Sequence, residues 1–170
     1  NFTGNAFNLH LGILPFYAGK NCVSGAIYNH EKFTGVTLHK IIEEVDAGQI
    51  IKLKKIKIKK KDNFLKLMSE LKLIGIKIIN EFVKDICLNK KIIEIKNDIK
   101  LRKKFPKKIP NDGFIDFKIK LKDFENLIRA SYFGPYQNTW GEVFFMYKNC
   151  KKYIVNIENS YFNFKKKKTI

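Results

Sequence analysis

Three short runs decide how this chain reads: Asn8-Leu9-His10, then Leu14-Pro15-Phe16-Tyr17-Ala18-Gly19, then Val45-Asp46-Ala47-Gly48-Gln49-Ile50-Ile51. In each, polar or turn-forming groups stand at the end of an apolar run. Ala6 to Leu9 reads as the end of a buried strand. Gly, Pro and Asn make 11–21 a loop. Cys22 to Asn29 is apolar enough for a short helix. Gly35 to Ile41 (GVTLHKI) is rich in β-branched and apolar residues and predicts a strand. Residues 43–48 form a loop. Gln49 to Ile58 then alternates apolar residues with lysines, the pattern of a half-buried strand near a sheet edge, with lysines guarding its open side.

Beyond Ile58 the period changes. Asp62 is an expected N-cap. Phe64, Leu67, Met68, Leu71, Ile74, Ile78, Phe82 and Ile86 recur at three- and four-residue spacing, which predicts one long amphipathic helix to about Leu88. Gly75 in its middle either weakens the helix or lets a neighbour approach closely. Asn89 to Lys108 is a basic, poorly periodic connection, closed by Pro106, Pro110 and a turn at Asn111-Asp112-Gly113. A boundary at this point separates residues 1–105 from a small region, 106–164, and a basic tail, 165–170. The small region is expected to hold a short strand (Phe114 to Phe117) and a helix capped by Asp123 and stopped at Gly134-Pro135. A β-hairpin follows, Val143 to Tyr147 with Tyr153 to Ile157.

The 170 residues suit one domain with a small appendage, and 45% hydrophobic residues supply a core. No apolar run is long enough to span a membrane. The net charge of +18 invites an anionic partner. Yet of 34 basic residues only Arg102 and Arg129 are arginine, the residue that usually reads phosphate and base edges. Lys, Ile and Asn all have A/T-rich codons, so codon composition competes as the source of the charge. Cys22, Cys87 and Cys150 are odd in number and form no CxxC pair. Neither a disulfide framework nor a metal site is expected, and reduced thiols fit a cytoplasmic protein. Cys22 reads as a packing residue. The chain opens on Asn1 rather than Met and shows no signal peptide, so its start is expected to be a cut or missing beginning.

Asn8 and His10 are two apart, so on a strand they share one side. Asp46 can return to them from the head of another strand. A carboxylate beside an imidazole fixes its tautomer and stabilises its protonated form, and a neutral amide suits a developing oxyanion. Such a trio fits acyl transfer to an amine. The same residue types are also common at strand ends as caps. His39 is expected to be a core or groove histidine and His30 an exposed turn residue, with no chemistry assigned to either.

These runs, together with Thr34-Gly35-Val36-Thr37-Leu38-His39 between them, resemble the folate-dependent formyltransferase family. Its members carry Asn-x-His, a Leu-Pro-x-Tyr-x-Gly segment, a Thr-Gly-Val-Thr strand and an Asp in a loop ending Gly-x-Ile-Ile, in that order. A weaker likeness covers Asp112-Gly113-Phe114-Ile115-Asp116 and Leu127-Ile128-Arg129-Ala130. The resemblance implies an α/β fold, a partial Rossmann-like formyltransferase sheet with a small C-terminal helix-plus-β-hairpin appendage. It implies 10-formyltetrahydrofolate as co-substrate, bordered by Leu14, Pro15, Val45 and Gly48. It implies His10 as general base, Asn8 as oxyanion donor and Asp46 as orienting carboxylate. Departures are Gly12-Ile13 where many members have Ser-Leu, and Ala18 where many have Arg. Family members also carry several strand–helix units before the Asn-x-His strand. Almost nothing precedes Asn8 here.

Within that resemblance, the short C-terminal region is similar to the appendage of sugar formyltransferases, which implies a nucleotide-linked amino sugar as acceptor and homodimerisation through the hairpin. Tyr17, Gly19, Lys20 and Asn21 would meet it, Lys20 and Asn21 facing its diphosphate. Tyr132, Phe133, Tyr136 and Trp140 would stack on its base; the competing reading has these aromatics packing the hairpin onto the helix. Alternatives from other classes are a methionyl-tRNA formyltransferase, a non-catalytic basic RNA-binding module, and a remnant that holds no folate.

Overall fold

The computed structural model describes residues 5–103, 105–158 and 161–165, with side chains to 154. Strand β1 (Phe7–His10) is followed by helix α1 (Cys22–Tyr28), β2 (Phe33–Lys40), β3 (Ile50–Lys57) and the long helix α2 (Phe64–Cys87). Helix α3 (Leu121–Ser131) and strands β4 (Val143–Tyr147), β5 (Cys150–Glu158) and β6 (Tyr161–Lys165) complete the chain. Single 3₁₀ turns occur at Ile99–Leu101 and Pro110–Gly113. The mixture of helices and strands is the α/β class that the sequence indicates. Residues 166–170 of the expected basic tail lie outside the described residues.

The first sheet has the order β1-β2-β3, antiparallel throughout. Asn8 pairs across from His39, Leu9 from Leu38 and His10 from Thr37. Alternation then divides the sheet into two faces. Phe7, Leu9, Val36 and Leu38 meet α2: Phe7 sets its ring edge-on to Phe82, with centroids 4.8 Å apart. Gly75 is explained by the same contact, since a Cβ there would stand 2.5 Å from Leu9 Cδ2. The opposite face carries Asn8, His10, Thr37 and His39 and lies under the 11–21 loop.

Helix α2 buries Phe64, Leu67, Leu71, Ile78 and Phe82, as its period requires. Its cap is Asn63, not Asp62. The Asn63 side chain accepts the Lys66 N–H at 2.9 Å. Asp62 instead turns inward, accepting the Lys59 N–H at 2.7 Å and the Lys66 ammonium at 2.6 Å. Helix α3 is capped at Lys120, ahead of the expected Asp123, so Asp123 lies in its first turn, where it pairs with His30 Nε2 at 2.7 Å. The expected strand at Phe114 to Phe117 is only a single bridge, Phe114 to Phe144.

In the second sheet, β4 and β5 are joined by Lys148-Asn149 alone. Both have positive φ (47° and 60°), the requirement of a two-residue type I′ hairpin. That tight turn starts β5 at Cys150 rather than Tyr153, and β6 adds a third strand. One buried cluster runs from Val23 and Ile27 of α1 through Leu67 and Leu71 of α2 to Phe124, Leu127, Ile128, Trp140 and Val143. Ser24 Oγ donates to the Ala130 carbonyl at 2.8 Å, and Phe64 stacks on Phe133 at 3.6 Å.

Candidate active site

The polar face of β1 and β2 is roofed by the loop after β1. Thr37 builds the roof: its hydroxyl donates to the Gly12 carbonyl at 2.7 Å and accepts the Leu14 N–H at 3.2 Å. Leu14 is thereby buried and Pro15 half-buried. At the loop's far end Gly19, with φ 85°, points its N–H at Asp46 Oδ2, 2.7 Å away.

Asp46 is the hub. It sits in the loop between β2 and β3 with a left-handed backbone, φ 51°. Its carboxylate is 9% exposed. Oδ2 lies 3.4 Å from His10 Nδ1, and Oδ1 lies 3.3 Å from His39 Nε2 and 3.4 Å from Asn8 Nδ2. Asn8 Nδ2 also stands 3.1 Å from His39 Nε2. Asn8, His10 and Asp46, which the sequence picked out, therefore converge from two segments. Two residues on, Gly48 is the only residue type that fits, because a Cβ would fall 1.9 Å from the Lys40 carbonyl oxygen.

His10 Nε2 lies 2.6 Å from the Tyr17 carbonyl, so in the neutral ring Nε2 carries the hydrogen and donates it. Nδ1 then faces Asp46 with an open lone pair. Burial pushes the His10 pKa below its ordinary value, against the opposing pull of Asp46 and the Tyr17 carbonyl. Cys22 Sγ is 3.4 Å from His10 Nε2 and donates to the Gly19 carbonyl at 2.9 Å. Burial pushes this thiol up to about 12, so it stays protonated and packs, as the sequence indicates.

His39 is a buried histidine, as expected, but it also joins the site, a contact that the sequence did not indicate. Its Nδ1 meets the Lys40 carbonyl at 2.7 Å. Only the antiparallel register, which puts it opposite Asn8, reveals it. Other expected contacts need correcting. The Tyr17 side chain turns away from the site and is 4% exposed: its hydroxyl donates to Glu31 at 2.9 Å and accepts from Asn29 at 3.2 Å, so only its carbonyl serves the centre. Asn21 is engaged at both amide ends, donating to the Lys107 carbonyl at 3.0 Å and accepting from the Thr139 hydroxyl at 2.9 Å. Trp140 is 1% exposed, sets its ring against Tyr28 and donates Nε1–H to the Pro106 carbonyl at 3.1 Å. An indole so enclosed packs rather than stacks on a ligand. Tyr132 lines a different cavity of about 260 Å³ with Tyr136, Glu142 and Tyr153. Lys20 is exposed.

Residues after α2 close the site from outside. Arg102 donates to Glu44 at 3.0 Å and to the Val45 carbonyl at 2.7 Å. The Lys103 N–H reaches the Phe16 carbonyl at 2.8 Å, and Lys107 Nζ reaches the Ala18 carbonyl at 2.8 Å. A cavity of about 210 Å³ opens among Ala18, Gly19, Val45, Arg102, Lys103 and Lys107, beside the Asp46 carboxylate. Its wall is cationic.

A buried carboxylate with an imidazole on each oxygen, and a neutral amide against Oδ1 and His39, has the chemistry to move a proton and to donate to a developing oxyanion. Its setting agrees with sequence comparison: residues 1–83 match the sequence model described as formyl transferase. Over these residues the chain is similar to that family. The chain is 38% identical over 125 residues to the bifunctional polymyxin resistance protein ArnA of Wigglesworthia glossinidia brevipalpis, covering 74% of this chain and 19% of that protein. It is 33% identical over 141 residues to the methionyl-tRNA formyltransferase of Azobacteroides pseudotrichonymphae genomovar. CFP2, covering 81% and 43%. It also superimposes on the N-formyltransferase of Helicobacter canadensis, solved with folinic acid and dTDP-3-aminofucose, with a TM-score of 0.70 and 27% identity, covering 88% of this chain and 52% of that one. The chain thus spans less than half the length of the curated relatives it matches.

Proposed function

We propose that the protein transfers a formyl group from 10-formyltetrahydrofolate to the amine of a nucleotide-linked amino sugar. The convergence of Asn8, His10 and Asp46 around one buried carboxylate carries this reading. The Helicobacter canadensis relative, solved with a folate and an amino-sugar nucleotide, supports the substrate class. The co-substrate supplies the activated formyl group; of the residues expected beside it, half-buried Pro15 and exposed Val45 are open to contact, while buried Leu14 and Gly48 would shape the loops that carry them.

The chain's own residues then act on the amine. Neutral His10 keeps its N–H on the Tyr17 carbonyl and offers Nδ1 to the amine proton. Uptake gives an imidazolium with both N–H groups met, one by a carbonyl and one by Asp46. General-base help of this kind is worth about 10²- to 10⁴-fold. Asn8 donates to the formyl oxygen as it gains charge, a contribution of roughly 3 to 4 kcal/mol at comparable sites. The cationic cavity beside Asp46, lined in part by Gly19, offers a neighbour for the acceptor's phosphates, and exposed Lys20 follows Gly19 in the chain. A homodimer through the C-terminal sheet would bring its exposed Met146 and Tyr147 into an interface.

The test is formyl transfer by the full-length protein, followed by chromatography of the product, with nucleotide amino sugars and with methionyl-tRNA as competing acceptors. His10→Ala and Asp46→Asn are expected to lose nearly all turnover with unchanged circular dichroism. A folded, active His10→Ala protein ends the reading. Transfer to methionyl-tRNA alone favours the second reading, which the similarity to that enzyme class supports. Salt-sensitive tRNA binding with no transfer to either acceptor favours the basic RNA-binding module.

A further inference from the structure

The connection between α2 and α3 holds one side chain placed unlike its neighbours. Asn97 is 8% exposed. Its Nδ2 donates to the Asp46 carbonyl and to the Gly48 carbonyl, each at 2.9 Å. These two carbonyls flank the tightest part of the loop, between the left-handed Asp46 and the glycine pressed against Lys40. The segment is anchored on both sides of Asn97. Ile95 exchanges two backbone hydrogen bonds with Ile50, at 2.9 and 2.8 Å, and Asp98 caps the following 3₁₀ turn through the Lys100 N–H. The amide is therefore held at fixed height over the loop. Asn97 Oδ1 is buried and meets no donor among the described residues, so the side chain's bonds all go to the Asp46 loop.

We propose that Asn97 is a positioning residue whose amide holds the Asp46 backbone in its left-handed state, and so sets the spacing between the Asp46 carboxylate and His10. A left-handed backbone is uncommon outside glycine; aspartate tolerates it better than most residues, yet it remains a minor state that the surroundings must select. Asn97 supplies that hold from 51 positions away in sequence, through two charge-neutral N–H groups that leave the carboxylate itself free for the imidazoles. Without them the part-buried Asp46 carbonyl and the buried Gly48 carbonyl lose their partner, the loop relaxes, and the carboxylate leaves the position where it faces His10 Nδ1.

The kinetic part of the test rests on the formyl-transfer reading; the titration part does not. The groups that face His10 are Asp46, His39, Cys22, Lys107 and the Tyr17 carbonyl, and of these Asp46 and the carbonyl favour the protonated ring. In full-length protein, with the His10 resonance assigned by His10→Gln, Asn97→Ala is expected to lower the pH at which His10 titrates. It is also expected to reduce kcat by about 10²-fold, as small misplacements at a reacting centre do, with KM for the acceptor little changed. Asn97→Gln, which keeps the amide, is expected to recover part of both. A folded Asn97→Ala protein with wild-type kcat and unchanged His10 titration overturns the proposal. Should Asn97→Ala unfold, Asn97→Ser takes its place: its single O–H can meet only one of the two carbonyls, so the same changes are expected and their absence is equally decisive. If wild-type protein transfers no formyl group, the functional reading fails while the titration still decides the role of Asn97.

Discussion

At Asp46 one carboxylate serves His10 through Oδ2 and both His39 and Asn8 through Oδ1. Burial holds His10 below its ordinary pKa, while Asp46 pulls the other way. A base so placed is active when neutral. On the formyl-transfer reading, kcat/KM of the full-length protein should therefore rise with pH through a value below about 6.5, the ordinary imidazole range, and be flat by neutrality. Asp46→Asn removes the pull that favours protonation, so the acidic limb should move to lower pH as the plateau falls. A pH–rate profile of both proteins checks this, and a limb above the ordinary imidazole range contradicts it. The same depressed pKa makes the unfolded chain the better proton binder, so its contribution to stability is lost as pH drops below the ordinary value. Asn8, His10 and Asp46 were legible because the first two alternate at the end of one strand and the third stands in the loop that heads another. His39 was not, because its place depends on which residue of β1 it faces across the ladder.

Helix α2 shows what periodicity does and does not reveal. Its extent follows closely from spacing, because the buried positions Leu67, Leu71, Ile78 and Phe82 fall on one stripe. Its outward side is also apolar: Leu73 and Ile76 are 63% and 56% exposed. Burial, not residue type, should then set the cost of truncation. Leu71→Ala is expected to cost about 2 to 5 kcal/mol. Leu73→Ala should fall within about 0.5 kcal/mol of wild type. Urea titrations of the two variants decide it, and equal losses would mean that the outer side is covered in solution. The cap was misassigned to the neighbouring residue because Asp62 and Asn63 are both capping types. Only the inward turn of Asp62 toward Lys59 and Lys66 separates them. The strand expected at Phe114 shrinks to one bridge because the residues before it, Asn111 to Gly113, all take positive φ and turn the chain aside.

Over the whole molecule, contacts distant in sequence join what local patterns separate. The segment after α2 reads as a featureless basic connection, yet Asn97, Arg102, Lys103 and Lys107 tie down both loops of the candidate site. No periodicity announces such ties, since each is one residue reaching across to a carbonyl or carboxylate of a distant loop. Likewise the buried cluster passes without a gap from α1 to α3 and β4, across the position where two prolines and a turn suggest a boundary. Among the described residues no helix is long and apolar enough to cross a membrane. Trp140, the chain's one tryptophan, stands at that crossing, between Tyr28 of α1 and the Pro106 carbonyl. The molecule thus carries an intrinsic optical gauge of its own assembly. Its fluorescence should be blue-shifted in the native protein and should redden on heating in step with the loss of helical ellipticity. Two separate melting curves would instead reveal a C-terminal portion that detaches first, leaving the rest standing.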